Sequence, residues 1–258
     1  MSERIAYEKC PLCDSPNSTV IARGDCSKHP LYHASLNPVI TWKACLGCNH
    51  VFTEGFYTDE ICKLIYSKTN VHQQVGHDFE SQRIISSRMV EKVLPYASTG
   101  NWLDVGFGNG SLLFTAHEYG FTPIGIDLRV ENVDNISSFG IQAHCIDIFG
   151  LRLDSKCSVI SMADVLEHVP FPKDSLLAAQ GLLSEKGCLL ISMPNSESMA
   201  WKILDYQNAN PYWNELEHCH NFSRTRLYEL LHECGFEPVR YGISERYRVC
   251  MEVVARKL

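Results

Sequence analysis

Residues 101–110 read Asn-Trp-Leu-Asp-Val-Gly-Phe-Gly-Asn-Gly, a short apolar run that leads into a glycine-rich turn. The residues that follow, 111–119, have the apolar spacing of a helix. A nucleotide-type cofactor requires this order of strand, glycine turn and helix, because glycines let the backbone approach a ligand at the helix N-terminus. The stretch therefore predicts an α/β fold with a cofactor site at residues 106–110.

Strands and helices continue to alternate after this turn. Apolar runs predict strands at 123–126, 141–145, 158–162 and 187–193, and helical spacing predicts helices at 174–183 and 225–234. Such alternation is typical of parallel βαβ units in a doubly wound, Rossmann-like sheet. Residues 238–244 and 247–255 are instead two predicted strands with only Glu245 and Arg246 between them, which indicates a terminal antiparallel hairpin and seven strands in all.

Acidic residues stand at the ends of three of these predicted strands. Asp127 follows the second strand, seventeen residues after Gly110, where a carboxylate can accept hydrogen bonds from both ribose hydroxyls. Asp147 and Asp164 follow the third and fourth strands. Asp147 has a second interpretation as a turn or helix-capping residue.

The N-terminal segment carries a pattern of paired cysteines. Of twelve cysteines, four form the pairs Cys10-Pro-Leu-Cys13 and Cys45-Leu-Gly-Cys48. Two such pairs can deliver four thiolates to a structural zinc ion, which would stabilise a segment too small to hold itself together by burial. Two alternatives remain open, namely a redox pair and a site that also uses histidines or a further cysteine; the residues concerned are Cys26, His29, His33 and His50.

Composition limits the function classes. The chain has 258 residues, 45% of them hydrophobic, and 23 basic against 30 acidic residues give a formal net charge of −7. This balance argues against a protein whose main task is to bind nucleic-acid phosphates. The sequence shows neither an apolar run long enough for a membrane span nor a signal-peptide block, so the expected location is the cytoplasm.

These patterns predict three parts. Residues 1–60 form the zinc-ribbon-like module, residues 61–98 a helical linker and lid, and residues 99–258 the cofactor-binding domain. Within the second part, Thr69–His77 is polar and is expected to be a linker or mobile loop.

Several motifs together resemble class I S-adenosylmethionine-dependent methyltransferases: Leu103–Gly110, Asp127, Asp147, residues 162–169, residues 187–195 and the terminal hairpin. The resemblance implies that the glycines pack under the methionine part of S-adenosylmethionine, that Asp127 binds the ribose and that Asp147 and Ile148 contact the adenine. The expected cofactor-binding residues are Asp104, Gly106, Gly108, Gly110, Asp127, Leu128, Asp147, Ile148 and Asp164. The N-terminal part is similar to the zinc-binding domain of certain bacterial methyltransferases, of which sugar C-methyltransferases are the best known, with Cys10, Cys13, Cys45 and Cys48 as metal ligands.

Methyl transfer to a hydroxyl needs a base, and histidine suits this role because its ordinary pKa leaves it mostly neutral near pH 7. The candidates lie after the fourth and fifth strands: Glu167, His168, His218 and His220. The run Asp164-Val-Leu-Glu-His168 also resembles the divalent-ion site of some O-methyltransferases, so a second divalent ion is an alternative use of these residues.

The predicted function is methyl transfer to an oxygen or carbon atom of a small-molecule acceptor. Aromatic residues at 196–222 are expected on the acceptor side: Trp201, Tyr206, Tyr212, Trp213 and Phe222. Two other functions stay open, a protein or RNA methyltransferase that recognises its substrate through the zinc module, and a non-catalytic cofactor-binding scaffold. Oligomeric state does not follow from the sequence.

Overall fold

The computed structural model describes residues 3–66, 70–247 and 249–258, apart from the side chain of Tyr66. Thr69 of the expected loop, residue 248 of the last expected strand, and the first two residues of the expected N-terminal module lie outside the described residues.

The chain forms strands and helices in the following order. The strands are β1 (Arg4–Ala6), β2 (Ser18–Asp25), β3 (Val39–Cys45), β4 (Val51–Thr53), β5 (Gly55–Tyr57), β6 (Gly100–Val105), β7 (Phe121–Asp127), β8 (Gln142–Cys145), β9 (Cys157–Ala163), β10 (Leu183–Pro194), β11 (His220–Asn221), β12 (Phe236–Ile243) and β13 (Cys250–Lys257). The α-helices are α1 (Asp59–Tyr66), α2 (Phe79–Val93), α3 (Ser111–Glu118), α4 (Val130–Ser138), α5 (Pro172–Leu182), α6 (Met199–Tyr206) and α7 (Arg224–Glu233). Short 3-10 helices occupy Val71–Gln73 and Pro211–Asn214.

The main sheet has seven strands in the order β12-β13-β10-β9-β6-β7-β8. Strands β6 to β10 are parallel, whereas β13 pairs antiparallel with β10 and β12 antiparallel with β13. The predicted doubly wound sheet with a terminal hairpin is therefore confirmed. Since parallel strands end at one edge, the glycine turn and the loops after β7, β8 and β9 meet there.

Apolar side chains alternate between the two faces of this sheet, as the period of a strand requires. Trp102 of β6 packs with residues of α2 and α3, while its neighbour Leu103 packs with residues of α5 and α7. Helices therefore cover both faces, and the sheet is buried between them.

The hairpin differs from its prediction in one respect. Strand β12 ends at Ile243 and β13 begins at Cys250, so the connection is longer than the predicted Glu245-Arg246 pair. The extra length carries Arg246 and Tyr247 to the edge of the sheet at which the glycine turn lies.

A second sheet, with four antiparallel strands in the order β11-β4-β3-β2, forms most of the N-terminal part. Its outer strand β11 comes from the far end of the chain, where His220 pairs with Phe52 and Asn221 with Val51. The segment expected at 196–222 thus contains α6, a 3-10 helix and β11 rather than a continuous loop.

In the ranges that the structure describes, the helices lack the combination of length and apolar character that crossing a lipid bilayer requires.

Candidate active site and cysteine cluster

The glycine turn lies between β6 and α3 and is held against β7. The Gly106 N–H donates to the carbonyl of Ile126 at 2.7 Å, which ties the turn to the neighbouring strand. Gly110 has φ of +75°, and a Cβ there would lie 2.3 Å from the Cδ1 atom of Ile136. Both the backbone conformation and the close contact with α4 thus require glycine at this position.

Phe107, the large residue inside the turn, is buried against β7. A Cβ on Gly125 would lie 2.6 Å from the Phe107 ring and 2.8 Å from Leu113. The missing side chain in β7 therefore provides the space that the ring fills, and the bulky residue fits without opening the turn.

Asp127 holds the turn from the end of β7. Its Oδ2 accepts the Gly108 N–H at 3.1 Å, its Oδ1 accepts the Arg129 N–H at 2.9 Å, and the Arg129 guanidinium lies 3.5 Å away. The side chain is buried, but each carboxylate oxygen can accept more than one hydrogen bond. The expected ribose contact is compatible with this arrangement.

The other expected cofactor-binding residues that follow β7 and β8 lie in different settings. Leu128 is 67% exposed beside it, while Ile148 is buried in the core under the sheet edge. The Oδ1 atom of Asp147 accepts the Gly150 N–H at 2.9 Å, so this residue stabilises a turn in the present structure.

A cavity of about 610 Å³ opens between the glycine turn and the segment before β11. Gly106, Gly108 and Asp104 line one end, and His168 and His218 line the other. Further histidines come from other parts of the chain, namely His29, His72 and His77. Gly110, Asp127, Leu128, Asp147, Ile148 and His220 are not among the described residues that line it.

Two carboxyl groups also line the cavity, those of Asp104, which is buried, and of Asp164, which is partly buried. Burial raises the pKa of Asp104 to about 7, although the Ser161 hydroxyl donates to its Oδ1 at 2.6 Å and opposes the rise. Burial also raises the pKa of Asp164, against the nearby charges of Arg246 and His168. Arg246 reaches Asp164 from the hairpin connection, with 3.3 Å between Nη1 and Oδ2. Sequence reasoning missed this arginine because the hairpin was expected to turn in two residues.

Glu167, His168 and His218 form a cluster at the far end of the cavity. Their ligand-type atoms lie within 4.8 Å of one another, and the two imidazole rings are 4.7 Å apart and perpendicular. Among the described residues, neither Nδ1 of His218 nor Oε2 of Glu167 has a hydrogen-bond partner. Such unsatisfied buried atoms are costly, and they mark a place where a ligand or ion can bind.

Burial sets the protonation of this cluster. It lowers the pKa of His218 well below its usual value, and the neighbouring His168 lowers it further. Burial, followed by the charge of Asp164, raises the pKa of Glu167 well above its usual value. Near neutral pH, His218 is therefore a neutral imidazole with a free lone pair.

His220, the fourth expected base, lies in a different environment. Its Nε2 is 3.0 Å from the carbonyl of Val169, so this nitrogen must carry the proton and donate. Its Nδ1 then accepts from Nε2 of His50, also at 3.0 Å. Both ring nitrogens are thus engaged in a buried histidine pair outside the cavity lining, and burial lowers the pKa of His220 to about 4.

The expected aromatic residues divide between this cavity and the N-terminal sheet. Tyr212 lines the cavity and stacks on Trp201 at 5.2 Å between ring centroids. Trp213 packs edge-on against Trp42 of β3, and Phe222 is buried next to His50. Tyr206 is 88% exposed.

The four paired cysteines come together at one end of the N-terminal sheet. Their sulfur atoms lie within 4.8 Å of one another, with 3.7 Å between Cys10 and Cys48 and 3.5 Å between Cys13 and Cys45. A tetrahedral zinc ion with Zn–S bonds of ~2.3 Å places its sulfurs about 3.8 Å apart. The arrangement therefore fits four-thiolate coordination.

The two cysteine pairs also share one backbone geometry. Asp14 and Asn49, which follow the second cysteine of each pair, have φ of 58° and 56°. Each donates its N–H at 3.0 Å to the carbonyl of the first cysteine, Cys10 or Cys45. Asp and Asn tolerate this left-handed conformation better than most residues, so their positions were a sequence signal for paired metal-binding turns.

Around Cys45, backbone donors favour the thiolate form. Burial alone would raise the pKa of this thiol, but the N–H groups of Cys48 and Gly47, with Cys13 and Cys10 nearby, bring it to about 7. A thiol that ionises near neutral pH is ready to bind a metal ion.

The strand order and the position of the glycine turn define a Rossmann-like fold, which solved structures of methyltransferases share. Magnesium protoporphyrin IX methyltransferase from Synechocystis PCC 6803, with bound S-adenosylhomocysteine, superposes with a TM-score of 0.56 at 17% identity over 69% of this chain and 84% of that one. The 1,6-didemethyltoxoflavin-N1-methyltransferase of Burkholderia thailandensis gives 0.53 at 19% identity over 69% and 79%. N-methyltransferase NodS of Bradyrhizobium japonicum WM9 gives 0.51 at 14% identity over 70% and 97%. At these identities the likeness shows the shared fold.

The family follows from the sequence itself. Residues 79–241 match the family described as "Methyltransferase domain", which is more than half of the chain, and the chain belongs to this family. No curated protein sequence matches significantly. Family and fold together identify an S-adenosylmethionine-dependent methyltransferase.

Proposed function

We propose that this methyltransferase transfers the methyl group of S-adenosylmethionine to an oxygen or carbon atom of a small-molecule acceptor. The observation that carries the proposal is one continuous cavity, which joins the glycine turn to the Glu167–His168–His218 cluster. One end suits a nucleoside cofactor, and the other offers a base within a site partly closed to water.

The cofactor, when bound, supplies a methyl group already activated by its sulfonium. We assign its binding to Asp104, Gly106, Gly108, Gly110, Asp127, Leu128, Asp147, Ile148 and Asp164. His218 takes up, at Nδ1, the proton that the acceptor loses as its bond to the methyl carbon forms. Glu167 and His168 surround that imidazole and keep it oriented, and Tyr212 offers an aromatic face to the acceptor.

We also propose that residues 1–60 form a module with one structural zinc ion on Cys10, Cys13, Cys45 and Cys48, followed by the linker and lid at 61–98. The sulfur separations and the matched turns at Asp14 and Asn49 support this assignment. Glu167, His168 and His218 could hold a second divalent ion instead of acting as base and supports.

An isotope experiment tests the acceptor class. The purified protein is incubated with S-adenosylmethionine deuterated in its methyl group and with separate small-molecule, protein and RNA fractions of a cell extract. We expect the label in the small-molecule fraction. Label in protein or RNA would favour a macromolecular substrate, and cofactor binding without any transfer would favour a scaffold.

A further inference from the structure

The segment 213–221 lies between the cavity and the N-terminal sheet. It supplies Glu215, Glu217 and His218 to the cavity lining. On the cavity side it is fixed to the loop after β9, because the N–H groups of Cys219 and His220 donate to the carbonyl of Glu167 at 2.7 and 3.2 Å. The position of Glu167 and that of His218 therefore depend on the same segment.

The opposite side of the segment is held by three strands of the N-terminal sheet. The indole N–H of Trp42 in β3 donates to the carbonyl of Trp213 at 2.9 Å. The Thr53 N–H in β4 donates to the carbonyl of Cys219 at 3.0 Å, and the Asp25 N–H in β2 donates to Oδ1 of Asn214 at 2.9 Å.

Two of these strands lead directly to the cysteine cluster. Strand β3 ends at Cys45, and β4 begins at Val51, soon after Cys48. A metal ion that fixes the two cysteines also fixes the ends of the strands that hold the segment. The glycine turn, by contrast, is held by Ile126 and Asp127 of β7.

The N-terminal part also forms one wall of the cavity. His29, Pro30 and Leu31, from the connection between β2 and β3, line it. The Leu31 N–H donates to Nδ1 of His29 at 3.3 Å, and Nε2 of the same ring donates to Oε2 of Glu215 at 3.1 Å. His29 is thus fixed at both nitrogens, with the segment 213–221 as one of its partners.

We propose that the four-cysteine module, through Trp42, Thr53 and His29, positions the segment 213–221 and so builds the acceptor half of the cavity. Trp42 and Thr53 are positioning residues that act through His218 and Glu167. The acceptor role of that half rests on the proposed function, but the mechanical coupling does not. In this view the module shapes a site for a small molecule and has no need to bind a macromolecule.

Hydrogen exchange of the full-length protein tests the coupling without an acceptor. Amide exchange is compared before and after removal of metal with a chelator, and again after Zn²⁺ is returned. We expect the amides of Cys219 and His220 to exchange about tenfold faster without metal, while those of Gly106 and Ile126 change by less than about twofold. Returned zinc restores protection, and the affinity for S-adenosylhomocysteine stays within about twofold throughout.

Two matched variants separate coupling from general destabilisation. Trp42 and Trp102 are both fully buried, and each donates its indole N–H, Trp42 to Trp213 and Trp102 to Ser161 at 2.8 Å. Trp42→Phe should speed exchange at Cys219 and His220 severalfold with metal still bound, and Trp102→Phe should not.

Unchanged exchange at Cys219 and His220 after metal removal would overturn the proposal, as would an equal increase at Gly106 and Ile126. An equal effect of the two tryptophan variants at Cys219 and His220 would also overturn it. Failure of S-adenosylhomocysteine to bind the untreated protein would count against the proposed function instead, whatever the exchange shows.

Discussion

At the residue scale, Asp127 has two tasks that one substitution can expose. It accepts the Gly108 and Arg129 N–H groups and is the proposed ribose ligand. We expect Asp127→Ala to weaken S-adenosylmethionine binding by about tenfold or more, because a charged acceptor is lost. Calorimetry measures the dissociation constant.

Two further variants control this experiment. Asp127→Asn keeps one oxygen for Gly108 and should lose less affinity than alanine. Asp134→Ala removes an exposed carboxylate from the neighbouring helix α4 and should leave affinity unchanged. Equal affinity in wild type and Asp127→Ala would remove the proposed ribose contact.

His218 offers a test of the base. Asn in its place keeps a polar group near Nδ1 but cannot take up a proton, so we expect kcat to fall by about 10²–10⁴ with cofactor affinity retained. His232→Asn, at a half-exposed histidine on α7, serves as control. The assay uses the acceptor that the isotope experiment identifies, and full turnover of the His218 variant would contradict the assignment.

The lowered pKa of His218 also fixes the direction of the pH profile. A base must be unprotonated, and a pKa below the usual value keeps His218 neutral to lower pH. Between pH 8 and 6.5 we therefore expect kcat to stay level, with a decline only in more acidic solution. A midpoint at or above the ordinary histidine value would point to another group.

His220 contributes to stability rather than to the cavity. Burial lowers its pKa to about 4 in the folded protein, and an unfolded histidine has a pKa of ~6.5, so the unfolded chain binds the extra proton first as pH falls. The stability that neutral His220 contributes is fully present above the unfolded pKa, and it is lost as the pH falls from the unfolded pKa to the folded one. The free energy of unfolding of wild type, measured with urea relative to that of His220→Gln, should fall by about 2 kcal/mol between pH 7 and pH 5. A constant difference would contradict the buried neutral pair.

At the scale of elements, the fit of Phe107 over β7 gives a stability test. Gly125→Ala would place a Cβ 2.6 Å from the Phe107 ring, and overpacking of this kind costs about 1–3 kcal/mol. Gly181→Ala is the matched control, since the new Cβ in helix α5 would have no described atom within 4 Å apart from the adjacent residues and the backbone of the helix itself. Chemical denaturation should therefore show a lower free energy of unfolding for Gly125→Ala and an unchanged one for Gly181→Ala. Equal effects of the two substitutions would argue against the packing of Phe107 on β7.

Local patterns predicted the regular elements of the main sheet because each strand and helix there carries its own periodicity. The glycine turn and Asp127 were found by spacing alone. Helices α4 and α6 and strand β11 were not predicted, and β11, with two residues, is too short to show a strand period. The pairing of β11 with β4 is a contact between distant segments, which single-sequence periodicity does not encode.

The site was likewise predictable only where its residues follow predicted strands. His168 was predicted just after the fourth strand and His218 downstream of the fifth, and the cavity brings them together. Arg246 was not predicted and His29 was considered only for the metal site, because their places depend on the hairpin connection and on how the N-terminal sheet packs. The separation of His220 from the cavity likewise depends on its pairing with His50.

At the scale of the molecule, metal content tests the cysteine cluster. We expect about one zinc ion per purified chain, and its loss on combined Cys10→Ser and Cys45→Ser substitution, because half of the ligands are removed. Cys157→Ser, at a buried cysteine of β9 outside the cluster, should keep the metal. Metal-free wild type with intact fold would refute the site, and two ions per chain would assign a second one to Glu167, His168 and His218.

The pairing of β4 with β11 has a consequence for biosynthesis. His50 and His220 are 170 positions apart, so the outer edge of β4 has no neighbour while the ribosome is still making the chain between them. An unpaired strand edge is a template for pairing with other chains. We therefore expect a fragment cut after residue 60 to self-associate, and nascent chains to complete this sheet only near the end of translation.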